Sequence, residues 1–236
     1  MQNFLTGNPT VNALTASTLA VAIALLGYFA LEPAMVFGQD DDEDTFQVTA
    51  EITGQIAFVT TAENVTLEDP IPGLTGGVAS GTAVVAVNTN NATGYNMTIE
   101  FADVVAMNYH NGSETILNYA PSSSGVPDLD FTVPTGSHGF AFSVQSNTNT
   151  ADTAQRFRSN GSLCNTGSQN NFGECWYNAA DATVPVTLVN RGTATPGTGA
   201  TTTLLFKVGV DANPSPELPT GFYTATATLT ATENPT

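Results

Sequence analysis

The chain has 236 residues, of which 41% are hydrophobic and only 11% are charged. Four Lys and Arg residues stand against 21 Asp and Glu residues, which gives a formal net charge of −17. The hydrophobic content is typical of a globular protein rather than a disordered one. A surface with so few cations cannot neutralise phosphates and is repelled by anionic lipids, which argues against nucleic acids and anionic membrane surfaces as partners.

The first segment, residues 1–38, has the features of an export leader. An uncharged apolar run covers residues 14–31, and the small residues Val36 and Gly38 fit a cleavage site after Gly38. The run is also about 18 residues long, which is enough to span a bilayer. No Lys or Arg precedes Arg156, so the basic start of a typical leader is missing. A cleaved signal peptide, a retained membrane anchor and a pilin-type helix in a filament core therefore all stay open. In each case we expect an extracytoplasmic protein, which contacts a membrane only through residues 14–31 if they are not removed.

The rest of the chain is predicted to be an acidic linker, residues 39–45, followed by one β domain, residues 46–236. Apolar and polar residues alternate with the period of two that is typical of strands, and Gly, Pro and Asn turn signals separate these runs. Each such strand has one apolar face, which two sheets can bury against each other. We predict an all-β fold: a single antiparallel β-sandwich of about eight to eleven strands with Greek-key connections, preceded by an apolar leader helix. The main predicted strands cover residues 46–52, 83–87, 95–101, 129–133, 140–144, 204–210 and 223–231.

A pair of cysteines, Cys164 and Cys175, lies in a segment rich in Asn and Gly. A close, even pair in an exported chain predicts one local disulfide. A redox or metal site would call for Cys-x-x-Cys spacing or for neighbouring histidines, and the sequence has neither here. Trp176 and Tyr177 follow directly. They offer either an aromatic platform on which a sugar could stack, or a tryptophan that covers the disulfide.

The sequence offers little for catalysis. Its two histidines, His110 and His138, lie far from any Gly-x-Ser-x-Gly motif, and we predict that both are turn residues. We predict no catalytic residue and no metal site, and do not expect an enzyme. Asp128 and Asp130 could bind calcium from a loop, or begin a strand with their carboxylates in solvent. Apart from that calcium we expect no cofactor. A secreted hydrolase with two catalytic carboxylates is a distant alternative.

The last predicted strand, residues 221–232, carries threonines on one face and small or apolar residues on the other. It contains no Lys and no internal Pro, which are the residues that commonly block the edge of a sheet. Such a strand could pair with a neighbouring subunit by strand addition, or it could complete the sandwich as a central or sheet-bridging strand. The candidate assembly residues are Tyr223, Thr224, Thr226, Thr228, Leu229 and Thr230.

Two segments resemble bacterial secreted and cell-surface β-sandwich proteins. The Pro-x-Gly-x-Tyr-Thr-Ala-Thr pattern in residues 218–235 resembles the closing strand of such domains, including WxL-type surface domains. The Thr-Asn to Gly-Tyr stretch in residues 87–99 is similar to a hairpin of uncharacterised surface proteins. The single tryptophan, Trp176, lies in Cys-Trp-Tyr, so the chain has no Trp-x-Leu motif. The resemblance implies a non-enzymatic protein at the cell surface.

These observations favour an extracytoplasmic structural protein of the cell surface that assembles through edge strands into a surface layer or a filament. Its partners would be copies of itself or other surface proteins. The alternative is an adhesin or a carbohydrate-binding module that binds cell-envelope glycans through the loops at residues 146–182, since loops on a rigid sandwich commonly carry recognition.

Overall fold

A computed structural model describes residues 45–146, 152–168, 175–179 and 184–235. The predicted leader, and all of the predicted acidic linker except Thr45, lie outside the described residues. Within those ranges no helix has the length and apolar character needed to reach across a lipid bilayer. The chain divides into two units, residues 1–50 and residues 51–236. Of the first unit, residues 45–50 are described, and they are exposed and without regular secondary structure.

The second unit is all-β and its strands pair antiparallel, as the alternation predicted. The described residues also contain one short 3-10 helix, Gln155–Phe157. The strands are β1 (Ile56–Thr60), β2 (Gly77–Thr89), β3 (Tyr95–Phe101), β4 (Met107–Tyr109), β5 (Thr115–Ile116), β6 (His138–Ser146), β7 (Tyr177–Asn178), β8 (Val186–Arg191), β9 (Ala200–Val210), β10 (Tyr223–Ala225) and β11 (Ala227–Glu233).

Five strands form the largest sheet, in the order β1-β2-β9-β6-β7. Strand β9 lies at its centre because it pairs along its whole length with β2 on one side and for most of its length with β6 on the other. Leu204, for example, lies opposite Ala83 on β2 and opposite Val144 on β6. All three side chains are buried, so this register directs the apolar face of the sheet into the core.

The described strands also form two smaller sheets, β11-β3-β8 and β10-β4-β5, and the chain passes from one to the other between β10 and β11. Strands β10 and β11 follow each other and are separated only by Thr226, whose carbonyl accepts a hydrogen bond from the amide of Ala102 at 3.0 Å. Strand β11 pairs with β3 and strand β10 pairs with β4. In the described chain both strands therefore lie at the end of their sheet.

One hydrophobic core connects the three sheets, which gives the domain a β-sandwich-like arrangement. The ring of Phe142 on β6 lies 5.5 Å from that of Phe101 on β3, measured between ring centroids. The rings of Phe157 and Tyr177 both lie 5.8 Å from Phe142. These aromatic contacts join the large sheet to the sheet that contains β3 and to the loop that carries the 3-10 helix.

Some of the predicted strands are confirmed and others are wrong. Residues 95–101 form β3, and residues 83–87, 140–144 and 204–210 lie within β2, β6 and β9, so these predictions are confirmed. The prediction for residues 46–52 is wrong: these residues form no strand, because no described strand offers them backbone hydrogen bonds. The prediction for residues 129–133 is also wrong, since this segment is a loop.

The predicted disulfide is confirmed. Cys164 and Cys175 are bonded, with their Cα atoms 5.7 Å apart, and both residues are buried. The bond ties together two parts of the polar segment between β6 and β8. A disulfide is consistent with an oxidising, extracytoplasmic location.

Candidate functional site

The described residues form a mainly apolar cleft of about 1030 Å³ beside β10 and β11. This volume lies at the upper end of the range of about 300–1,000 Å³ that is usual for small-molecule pockets. The floor of the cleft consists of core side chains from several strands: Ala79, Ala83, Phe101, Phe140, Leu204 and Val208. One wall comes from residues 62–73, and the other comes from the segment 218–229.

The first wall, residues 62–73, is a segment that leaves the sheet after β1 and returns to the edge of β2. At its return, the amide of Glu68 donates to the carbonyl of Ser80 at 2.9 Å. The segment approaches β2 closely because Gly81 has no side chain. A Cβ atom at Gly81 would lie 2.5 Å from Cγ1 of Val65, which is closer than such atoms come. Val65 and Leu67 are half-buried and give this wall its apolar surface.

The second wall contains β10 and β11, whose pairing leaves one edge without a described partner strand. Tyr223 pairs with Tyr109, and Leu229 pairs with Ile99, so the hydrogen bonds of both strands with β4 and β3 lie on one side. The side chains of Tyr223 and Leu229 are half-buried and line the cleft. Burial raises the pKa of Tyr223, with smaller contributions from Tyr109 and Glu114. An edge of this kind presents N–H and C=O groups that can pair with another chain.

The candidate assembly residues lie in two strands, not in one long strand as predicted. Tyr223 and Thr224 belong to β10, and Thr228, Leu229 and Thr230 belong to β11. The residue between these strands, Thr226, is in neither. The structure brings Tyr223, Thr224 and Leu229 to the cleft. The two strands lie at the described ends of two different sheets, which fits both alternatives that the sequence left open, an edge available for assembly and a sheet-bridging strand.

The predicted aromatic platform, Trp176 and Tyr177, is buried. Trp176 is 6% exposed and Tyr177 is 4% exposed. The Trp176 ring lies 5.7 Å from the ring of Phe131, and the ammonium of Lys207 lies 4.1 Å from its centroid. The Tyr177 ring packs in the core. Neither ring has an exposed face on which a sugar could stack.

The four cationic side chains of the molecule are each engaged by a neighbouring group. Burial lowers the pKa of Lys207, which lies among aromatic rings. The outer surface is therefore dominated by acidic and neutral polar groups, which offers little attraction to a polyanion. The pairings are Arg156 over the Tyr177 ring, Arg158 Nε donating to the Thr153 carbonyl, Arg191 paired with Asp152, and Lys207 over the Trp176 ring.

The carboxylate of Asp128, a candidate calcium ligand with Asp130, holds a loop together. It accepts hydrogen bonds from the hydroxyl of Tyr119 and from the amide of Ser122, both at 2.8 Å. Burial, and then the bond to Asp128, raises the pKa of Tyr119 to about 12. Among the described residues, no three His, Cys, Asp or Glu side chains are grouped as metal ligands.

The two histidines have different environments. His110 lies in a turn, as predicted. The prediction for His138 is wrong, because His138 is the first residue of β6 and is buried. Its Nδ1 accepts a hydrogen bond from the amide of Leu117 at 3.0 Å, which requires this nitrogen to be unprotonated. Burial lowers the pKa of His138.

We expect His138 to make the fold less stable in mild acid. In the unfolded chain this histidine gains a proton below about pH 6.5, whereas in the fold its pKa is lower. Its contribution to stability is therefore fully present above about pH 6.5 and is lost as the pH falls through the lowered pKa. Denaturant unfolding at several pH values should show a shallower loss between about pH 7 and 5 for His138→Gln than for the unchanged chain.

Comparison with known proteins gives no family for this chain: no family model matches it, and no curated protein sequence matches it. The cleft and its edge are therefore the features that bear on function.

The sequence predicted a candidate assembly strand in the wall that contains β10 and β11, but it did not indicate the opposite wall, residues 62–73. The spacing of Val65, Leu67 and Ile71 is a signal that could have indicated an apolar face there.

Proposed function

We propose that this chain is a non-enzymatic, extracytoplasmic structural protein of the cell surface, which assembles with copies of itself through β10 and β11. The observation that carries this proposal is the edge of these strands that has no partner among the described strands, beside an open apolar cleft. In this interpretation the domain is a single sandwich with Greek-key connections, and the cleft is the place of one further strand.

Strand addition uses both features of the site. The backbone of an added strand can form hydrogen bonds with the free edge of β10 and β11, while alternate side chains enter the cleft. The two faces of the edge strands already differ in the way strand addition requires. Tyr223 and Leu229, which line the cleft, are apolar and half-buried, while Thr228 is exposed. Contiguous apolar surface that stays open in a single molecule commonly marks a protein interface.

The compartment is supported by independent features. The disulfide between Cys164 and Cys175 is of the kind that persists in oxidising environments. The apolar run at residues 14–31 fits an export leader or an anchor.

Asp128 and His138, which are candidates for chemistry by residue type, both serve local structure. The burial of Trp176 and Tyr177 favours assembly over glycan binding.

The test is the association state of the full chain. Sedimentation velocity over a range of concentrations, in one mild detergent, should show species larger than a monomer that grow with concentration. Electron microscopy of the same samples should show ordered polymers. A chain that is monomeric at every concentration would contradict the proposed assembly.

A further inference from the structure

The segment at residues 46–52 is exposed although its sequence has the pattern of a half-buried strand. Phe46, Val48 and Ile52 are 80%, 85% and 87% exposed. They alternate with polar residues and, together with Ala50, form one apolar face. We propose that this segment of a second copy is the strand that fills the cleft beside β10 and β11. This inference rests on the proposed function and names the partner segment.

The length of the segment matches the free edge. Seven residues of an extended chain span roughly 23 Å at about 3.3 Å per residue. The edge from Tyr223 to Leu229 has the same number of residues and thus the same length. A strand that occupies residues 46–52 can therefore pair along the part of β10 and β11 that lines the cleft, and place four alternate apolar side chains toward its floor.

Residues 53–55, which follow the segment, are anchored beside the ends of β2 and β11. The amide of Gln55 donates to Oδ1 of Asn90 at 2.7 Å, and Nδ2 of Asn90 donates to the carbonyl of Thr53 at 3.1 Å. Asn90 lies just beyond the end of β2, and a Cβ atom at Gly54 would lie 2.8 Å from Oε2 of Glu233, the last residue of β11. In the described chain residues 46–52 are exposed, so the place beside β10 and β11 is open to this segment of a second copy.

Such a contact joins two different surfaces of identical chains: the segment of one copy and the cleft of the next. Each copy offers residues 46–52 as one surface and the cleft beside β10 and β11 as the other. A contact between unlike surfaces that does not close on itself builds an open filament. The inference thus predicts a polymer of one kind of chain, in which each copy supplies a strand to the next.

The first experiment changes the apolar face of the segment in the full chain. Val48→Asp places a carboxylate where a side chain would enter the apolar cleft, and Thr49→Asp places the same charge on the opposite, polar face. We expect Val48→Asp to abolish the assembly seen by sedimentation velocity, and Thr49→Asp to retain it. If the Val48→Asp chain assembles like the unchanged chain, the segment is not the added strand.

The second experiment tests whether the strand comes from another molecule. A Val48→Asp chain keeps its cleft, and a Leu229→Asp chain keeps its segment. When the two are mixed with different tags, we expect a heterodimer that neither chain forms alone, because one functional cleft meets one functional segment. Absence of the heterodimer would overturn insertion between molecules. If Leu229→Asp blocks assembly while Val48→Asp does not, the proposed function stands and only the choice of segment fails.

A third measurement does not depend on how the Leu229→Asp chain folds. A synthetic peptide of residues 45–54 should bind the Val48→Asp chain saturably, with one peptide per chain. The same peptide carrying Val48→Asp should bind more than about tenfold more weakly, since it loses a buried apolar side chain and buries a charge. Absence of binding by the unchanged peptide would overturn the inference.

Discussion

A chain carrying Leu229→Asp is expected to remain monomeric under conditions in which the unchanged chain assembles. Leu229 lies on β11 opposite Ile99, and its half-buried side chain lines the cleft. A carboxylate at this position would lose its water when an added strand covers the cleft, and no cation lies nearby among the cleft-lining residues to compensate it. Sedimentation velocity at matched concentrations measures the difference.

Thr228→Asp is the matched control for this variant. Thr228 is the preceding residue on β11, is exposed, and directs its side chain to the other face of the strand. The same charge at this position should leave assembly intact. Circular dichroism of both variants checks that the β fold is retained. If the folded Leu229→Asp chain assembles as readily as the Thr228→Asp chain, the cleft is not the interface.

The second large effect is expected from loss of the disulfide. Replacement of both Cys164 and Cys175 by Ser should lower the free energy of unfolding by about 2–4 kcal/mol. The bond restricts the unfolded chain by closing a loop, and the two sulfur atoms are buried in a segment that has little regular secondary structure. Denaturant unfolding of the variant, and of the unchanged chain under reducing conditions, should give the same loss.

Leu163→Ser provides the comparison for the disulfide. Leu163 is adjacent to Cys164 but is 65% exposed. Its replacement should change the free energy of unfolding by less than about 0.5 kcal/mol, as is usual for exposed positions. A double cysteine variant that is as stable as Leu163→Ser would show that the bond contributes little to the fold.

The alternation of apolar and polar residues predicted which residues form strands where tertiary partners exist. Residues 95–101 form β3 because β8 and β11 flank them on both sides. Residues 46–52 alternate equally well, yet no described strand pairs with them. Periodicity reports the faces of a potential strand, whereas the backbone hydrogen bonds that form it depend on neighbours that local sequence does not specify.

The candidate site was predictable only in part, for the same reason. Threonine alternation identified the segment that contains β10 and β11, but the position of these strands at the ends of their sheets follows from long-range pairing with β4 and β3. The burial of Trp176 was only one of two alternatives that the sequence left open. It depends on Phe131 and Lys207, which come from a loop and a strand that are distant in sequence.

Hydrogen–deuterium exchange of the assembled chain tests directly whether a strand is added along the edge of β10 and β11. The backbone amides between Tyr223 and Leu229 should exchange more slowly in the polymer than in the monomeric Val48→Asp chain, because an added strand pairs with their edge. The amides of β3, which are already paired on both sides, serve as the internal reference. We expect new protection that includes β10 and the first residues of β11. Equal exchange of these amides in polymer and monomer would contradict it.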